Sequence, residues 1–351
     1  MRNGPIRLTI FPVTERGFQL AQKLTDKFNG AKIHEPVHLK NGGLKKLVKV
    51  AFRQSSAIFF ISASGIAIRA VAPFLKGKAV DPAVILMDEG ARFVVSLLSG
   101  HLGGANKLTK EIAQFYKAAP VITTATDVMG LPCAEDIAES IVSKIENIGK
   151  IKPVNSAILK NERIAVIDKD SGRLDRLKRE FGENTSFSFH KSLPKKTDVF
   201  SGFILVSSSL DKLPPEIENK TLVLRPPEFV VGLGCNRGVR VKEVAEAFSI
   251  ALDEAGIPPL CVRNLASIDI KSNEQGLLKF AKKKGLEIRF FSSTELRKIK
   301  KLPSGVSELV LEKTGVGGVC EPAALLCSGA KKIWLKKRRI GRVTVAAAKV
   351  P

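Results

Sequence analysis

The chain has 351 residues, 44% of them hydrophobic and 26% charged, which suits a globular protein of two or three domains with sizeable cores. Its five cysteines are odd in number and none sits in a C-x-x-C pair, which argues against a disulfide framework or a zinc site and for a cytoplasmic chain with reduced thiols. A net charge of +23 reads either as a lysine-rich, solvated surface or as affinity for an acidic partner, nucleic acid or a polyanionic small molecule.

From the N-terminus, no sustained apolar run marks a signal peptide. Ile6 to Thr14 reads as a strand and Glu15 to Phe28 has helical spacing. Ala57 to Leu75 is nearly apolar over about a bilayer's thickness, but Arg69 lies inside it and Gly65 and Pro73 punctuate it. It reads as a buried strand, Ala57 to Ile61, then a turn and helix. "AVILMDE" and "ARFVVSLL" flank Gly90 like a hairpin, Ala105 to Lys117 is helical, and Pro120 to Thr126 reads as a strand entering a polar loop. Strands alternating with helices predict a layered α/β domain over 1–134. Smaller, more polar units ("RIAVIDKD", "SGRLDRLKREFG", "GFILVSSS") predict a middle α/β domain over 135–226, ending at paired prolines. A second strong pattern starts at "EFVVGLGCNRGVRVKEVAEAF" and predicts a C-terminal α/β domain with a mixed sheet over 227–351. It closes on "KKIWLKKRRIGR", which suits a basic edge hairpin at least as well as a nucleic-acid arm. There is no zinc-finger spacing, no RNP-like motif and a single tyrosine to stack on bases.

The most informative stretch is "VVSLLSGHLGGANKLTKEIAQF", a strand, a turn Ser99–Ala105 and a helix. A helix entrance offers unpaired N–H groups and partial positive charge, and glycines let backbone approach a ligand. The loop is neither a Walker A nor a G-x-G-x-x-G motif. His101 is a candidate acid or base, or simply a histidine that caps the turn. Cys235, with no histidine nearby in sequence, reads as a packing residue, and Glu321 as a helix-capping carboxylate.

"SGHLGGAN", preceded by "SASGIAIRAVAPFL" and "DPAVILMDEGARFVVSLL" and followed by "PVITTATDV", resembles the N-terminal part of the CbiG family, the cobalt-precorrin-5A hydrolases of anaerobic cobalamin biosynthesis. "VVGLGCNRGV", "LASIDIKSNEQGLLKFA", "FFSSTEL" and "TGVGGVCEPAALLCSGA" resemble the family's last domain, which also occurs alone as CobE. The runs cover about residues 55–130 and 228–350 in the family's order, while the middle section matches only loosely.

The resemblance implies a substrate that is a cobalt corrinoid carrying a δ-lactone. Water opens the lactone, and C20 leaves with its methyl as acetaldehyde. Cobalt then travels in the substrate and the protein needs no cofactor or metal site of its own. Under this reading His101 is a candidate base for water or a ligand to the substrate's cobalt, and Gly103, Gly104 and Ala105 offer N–H donors to the oxyanion. Asp88, Glu89 and Asp127 are candidates for the C–C cleavage, with solvated turn carboxylates as the plainer reading of the first two. Arg69 and Arg92 are candidate carboxylate clamps, Lys107 a weaker one. Ser64, Gly100, Asn106, Thr123, Thr124, Asn236 and Arg237 complete the substrate-binding candidates. The partner expected is the anionic corrinoid; neighbouring pathway enzymes and a homo-oligomer are compatible with the reading, a membrane is not expected, and nucleic acid rests on charge alone. A non-catalytic corrinoid carrier is the alternative.

Overall fold

A computed structural model describes residues 6–77, 80–210, 212–300 and 302–351. These form three sheets in succession along the chain. The first contains β1 (Leu8–Pro12), β2 (Lys32–Ile33), β3 (Ala57–Ile61), β4 (Ala83–Met87), β5 (Phe93–Leu98) and β6 (Ala119–Val121), in the order β2-β1-β3-β4-β5-β6. Every residue of β1, β3 and β4 is buried, as expected of parallel strands covered on both faces. The period of two sorts their side chains. Leu8, Ile10, Phe59, Ile61, Ile85 and Met87 pack on one face, and Phe11, Ile58, Phe60, Val84 and Leu86 on the other.

β1 to β4 pair in parallel, but β5 pairs antiparallel to β4 and β6 follows β5. The tight turn after β4 forces this reversal. The Asp88 carboxylate accepts the backbone N–H groups of Gly90 (3.1 Å), Arg92 (2.9 Å) and Phe93 (2.7 Å). The segment after β5 therefore emerges at the edge of the sheet where β1, β3 and β4 begin, opposite the edge where they end.

Beyond β6 the expected strand through Thr126 gives way to a short helix, Ala125–Val128. The hydroxyls of Thr124 and Thr126 are drawn to Asn106 and His101, which breaks the extended run.

The second sheet holds β7 (Lys144–Ile145), β8 (Ile164–Asp168), β9 (Phe187–His190), β10 (Gly202–Val206) and β11 (Thr221–Arg225) in the order β7-β11-β10-β8-β9, with only β7 antiparallel to its neighbour. The third holds β12 (Phe229–Cys235), β13 (Val262–Ile268), β14 (Ile288–Phe291), β15 (Leu335–Ile340) and β16 (Val343–Lys349) in the order β14-β13-β12-β16-β15. It is mixed: β12, β13 and β14 run parallel, while β15 and β16 form the basic hairpin. Lysines and arginines on the edge strand β15 discourage pairing with another chain.

Ion pairs tie the units together. Lys107 of the first unit meets Glu139 of the middle one at 2.7 Å, and Glu228 of the C-terminal unit receives Arg173 of the middle unit as well as Lys349 of its own unit, the latter at 3.1 Å. Glu321 stands in the first turn of the helix Cys320–Ser328, as expected of a carboxylate at a helix start, but its carboxylate makes no cap bond there. It is buried and accepts from Ser304 Oγ (2.7 Å), Ser304 N (3.2 Å) and Lys337 N (3.0 Å), since a buried carboxylate needs donors and this loop and strand supply them. No described helix is long and apolar enough to cross a membrane.

Candidate active site

The loop after β5 is held by its own backbone. Ser99 sits at φ 59°, Gly104 N–H donates to His101 O (3.0 Å), Ala105 N–H to Ser99 O (3.2 Å) and Asn106 N–H to Gly100 O (3.0 Å), and the helix Ala105–Tyr116 follows. This corrects the expected oxyanion donors. The N–H groups of Gly104 and Ala105 are spent inside the turn, and of the three only Gly103 has no acceptor among the described residues.

The glycines also have an internal reason. A Cβ on Gly100 would lie 2.7 Å from Asn106 Oδ1, one on Gly103 would lie 2.4 Å from Ser99 Cβ, and Gly104 has φ +82°. They permit the turn; close approach to a ligand is not needed to explain them.

Asn106 is the hub. It is buried, accepts from Ser96 Oγ (2.7 Å), and donates to Thr124 Oγ1 (3.1 Å) and Asp127 Oδ2 (2.9 Å). Asp127 is thereby aimed at His101, whose Nε2 lies 3.4 Å from Asp127 Oδ2 and 3.2 Å from Thr126 Oγ1. Lys110 Nζ holds the other Asp127 oxygen at 3.3 Å. On the far side of the ring, Nδ1 lies 3.5 Å from Cys133 Sγ. A carboxylate at Nε2 favours the proton on that nitrogen. Nδ1 then keeps its lone pair toward a thiol, which is only a weak donor. The His101 and Asp127 side chains are 15% and 18% exposed, close to dry but reachable.

Cys133 opens the helix Ala134–Ser140, with Asp136 Oδ2 accepting its N–H at 2.7 Å. His101, Cys133 and Asp136 offer ligand atoms within 4.8 Å of one another, the one such trio among the described residues. Burial, helped by Glu135 and Asp136, pushes the Cys133 thiol far above its ordinary range, so it is a poor thiolate ligand and a poor nucleophile. We read it as the group that seats the imidazole. All five cysteines are free thiols; burial likewise pushes Cys235 up to about 11, in keeping with a packing role.

A cavity of about 1300 Å³ opens beside this cluster. Small-molecule sites are typically about 300–1,000 Å³, so this one is large enough for a macrocycle. Gly100, His101, Gly103, Gly104, Asn106 and Asp127 line it from the first unit, Glu135, Asp136, Glu139 and Lys144 from the second, and Leu260 and Lys284 from the third. Leu102 packs on the middle core and so fastens the loop to that unit.

Not every expected site residue arrives there. Asp88, Glu89 and Arg92 occupy the turn at the other end of the β4–β5 hairpin, roughly 15–20 Å away along the strands. Ser64 and Arg69, both exposed, follow β3 on that same far edge. The reversal of β5 is the physical reason these five are separated from His101. Asp88 is also engaged by the turn itself. Burial alone would raise its pKa, but the donors from Phe93, Arg92 and Gly90 win and hold it below the usual carboxylate range. Lys107 is taken by Glu139. Thr123 is exposed, and Thr124 serves Asn106. Asn236 and Arg237 follow β12 and bond to Arg342 through their backbone, outside the cavity wall. Sequence reasoning missed Cys133, Asp136 and Lys144. "CAED" is readable as a helix start, but nothing in it announces a contact with a histidine 32 residues earlier.

The chain is similar to several known proteins. A family model described as Cobalamin synthesis G N-terminal matches residues 46–127, and one described as Cobalamin synthesis G C-terminus matches 229–348. A Priestia megaterium protein named cobalt-precorrin-5A hydrolase is 29% identical over 97% of this chain and 94% of its own length. A Salmonella typhimurium (strain LT2) protein of the same name is 30% identical over 92% of each. A crystal structure of a putative cobalamin biosynthesis protein G homolog from Sulfolobus solfataricus aligns over 99% of both chains at 21% identity, with a TM-score of 0.39.

Proposed function

Because the chain belongs to the cobalt-precorrin-5A hydrolase (CbiG) family and is a hydrolase of cobalamin biosynthesis, we propose that the cavity beside His101 takes cobalt-precorrin-5A, opens its δ-lactone with water and releases C20 with its methyl as acetaldehyde. The observation that carries this reading is the His101–Asp127 pair, at 3.4 Å, in the wall of a cavity built by all three units. Water attacking the lactone carbonyl gives its proton to His101 Nδ1, whose lone pair faces only the weak Cys133 thiol donor. The Asp127 carboxylate stabilises the imidazolium, which then protonates the departing alkoxide of C20. The free N–H of Gly103 is the backbone donor left for the oxyanion. Contacts of 3.2–3.5 Å around the ring are long for hydrogen bonds, as is common before substrate tightens a site.

The cobalt enters with the substrate, and no cofactor held by the protein is part of this reading. The net charge of +23 supports capture of a corrinoid that carries several carboxylates. Acetaldehyde release by the purified chain, followed with a coupled alcohol dehydrogenase, tests the reading. His101→Asn retains corrinoid binding and loses turnover by about 10²-fold or more. Turnover at the parent rate in this variant would remove His101 from the chemistry. A bound-corrinoid visible spectrum that shifts in the parent and not in the variant would make it a cobalt ligand instead.

A further inference from the structure

The reaction proposed above has two steps, and His101 accounts for one. Lactone opening leaves a hydroxyl on C20. Breaking the C–C bond then requires that hydroxyl to lose its proton. The acidic candidates from sequence do not serve: Asp88 and Glu89 lie on the opposite edge of the sheet, and Asp127 is committed to His101, Asn106 and Lys110.

Lys144 of the middle unit lines the same cavity. It begins the two-residue strand β7, where its neighbour Ile145 turns into the middle core. The period of two sends Lys144 the other way. The side chain is half-buried, and no carboxylate lies within ion-pair distance of it among the described residues. The other lysines of the wall differ. Lys107 is paired with Glu139, Lys110 with Asp127, and Lys284 is exposed. Directly across the strands from Lys144 stands another cation, Arg225, itself satisfied by Glu146 and by the carbonyls of Ser207 and Ser209. Cys261 of the C-terminal unit lies close enough to act on Lys144 electrostatically.

We propose that Lys144 is the second catalytic group, whose neutral amine takes the proton of the freed C20 hydroxyl. As the O–H bond breaks, C20 becomes a carbonyl carbon and the C–C bond to the ring breaks. The electron pair passes into the conjugated macrocycle, acetaldehyde leaves, and the ammonium returns its proton to the macrocycle. No oxidant or further reactant is needed. Burial, the larger influence, lowers the Lys144 pKa against a smaller opposing effect of Cys261, which increases the amine available near neutrality. The inference rests on the reading of the previous section and gives the middle unit a chemical role.

The test uses the full chain with cobalt-precorrin-5A and two readouts, the ring-opened corrinoid by mass spectrometry and acetaldehyde by the coupled assay. Lys144→Met and Lys144→Arg are compared. We expect both to accumulate ring-opened corrinoid while acetaldehyde release falls about 10²-fold. Arginine keeps the charge and cannot act as a base at neutral pH. Acetaldehyde release restored by arginine would make Lys144 a mere anchor for a substrate carboxylate and overturn the proposal. Parent-like release in both variants, or loss of lactone opening along with it, would overturn it as well. The parent's release rate should also rise with pH through a limb below the ordinary lysine range, absent in both variants. Arg225 stands across the strands from Lys144, Cys261 acts on it electrostatically, and Asp136, Glu139 and Lys284 line the same cavity; all are unchanged in the comparison. A parent chain that neither opens the lactone nor releases acetaldehyde would instead sink the underlying function.

Discussion

Asp88 shows how a single residue can carry the signature of a catalytic group and belong to the scaffold. Its carboxylate, next to an exposed arginine at a strand end, collects three backbone donors and fixes the turn that reverses β5. Its folded pKa is depressed, so its stabilising contribution is complete above the ordinary carboxylate range and is lost as pH falls through the folded value. We expect the urea midpoint of the parent to drop below about pH 4, and that of Asp88→Asn to start lower and change less over the same interval. Identical pH profiles would show that the donors contribute nothing net. The Arg92–Asp88 contact at 3.6 Å adds little, being a surface pair.

Among elements, the turn Ser99–Gly104 illustrates what a sequence can and cannot disclose. A strand, a glycine turn and a helix were legible there because apolar spacing switches period at Ser99. The buried strands β3 and β4 were legible for the same reason. The direction of β5 was legible as a hairpin, yet its consequence was not: no local pattern says that Ser64, Arg69 and Asp88 would end on one edge and His101 on the other. The cause of the glycines was hidden too, because Gly100 and Gly103 answer to Asn106 and Ser99 in space. Gly103→Ala should therefore destabilise the fold by about 1–3 kcal/mol through overpacking, read as a lower urea midpoint at unchanged slope. If Gly103 were instead reserved for substrate, the variant would keep parental stability and lose only activity. Thr123–Thr126 misled for a related reason: β-propensity described each residue correctly in isolation, while Asn106 and His101 claimed two of the hydroxyls.

At the scale of the whole molecule, three sheets carry separate cores, and the cavity belongs to none of them alone. The C-terminal unit from Glu228 has its own nineteen-residue core cluster of buried side chains. Expressed alone, it should unfold cooperatively and release no acetaldehyde, since His101 and Lys144 lie outside it; release by the isolated unit would put the chemistry elsewhere. Lys107–Glu139 and Arg173–Glu228 cross between units, and such charge pairs at partly exposed seams weaken as salt rises. Catalytic competence and folded mass are therefore two different properties of this protein. High ionic strength is expected to part the seams while each core stays intact, leaving a preparation whose circular dichroism is native and whose turnover is lost; turnover that persists at high salt would show that the seams do not depend on these pairs. Storage and assay conditions for such an enzyme are set by its joints rather than by its melting temperature.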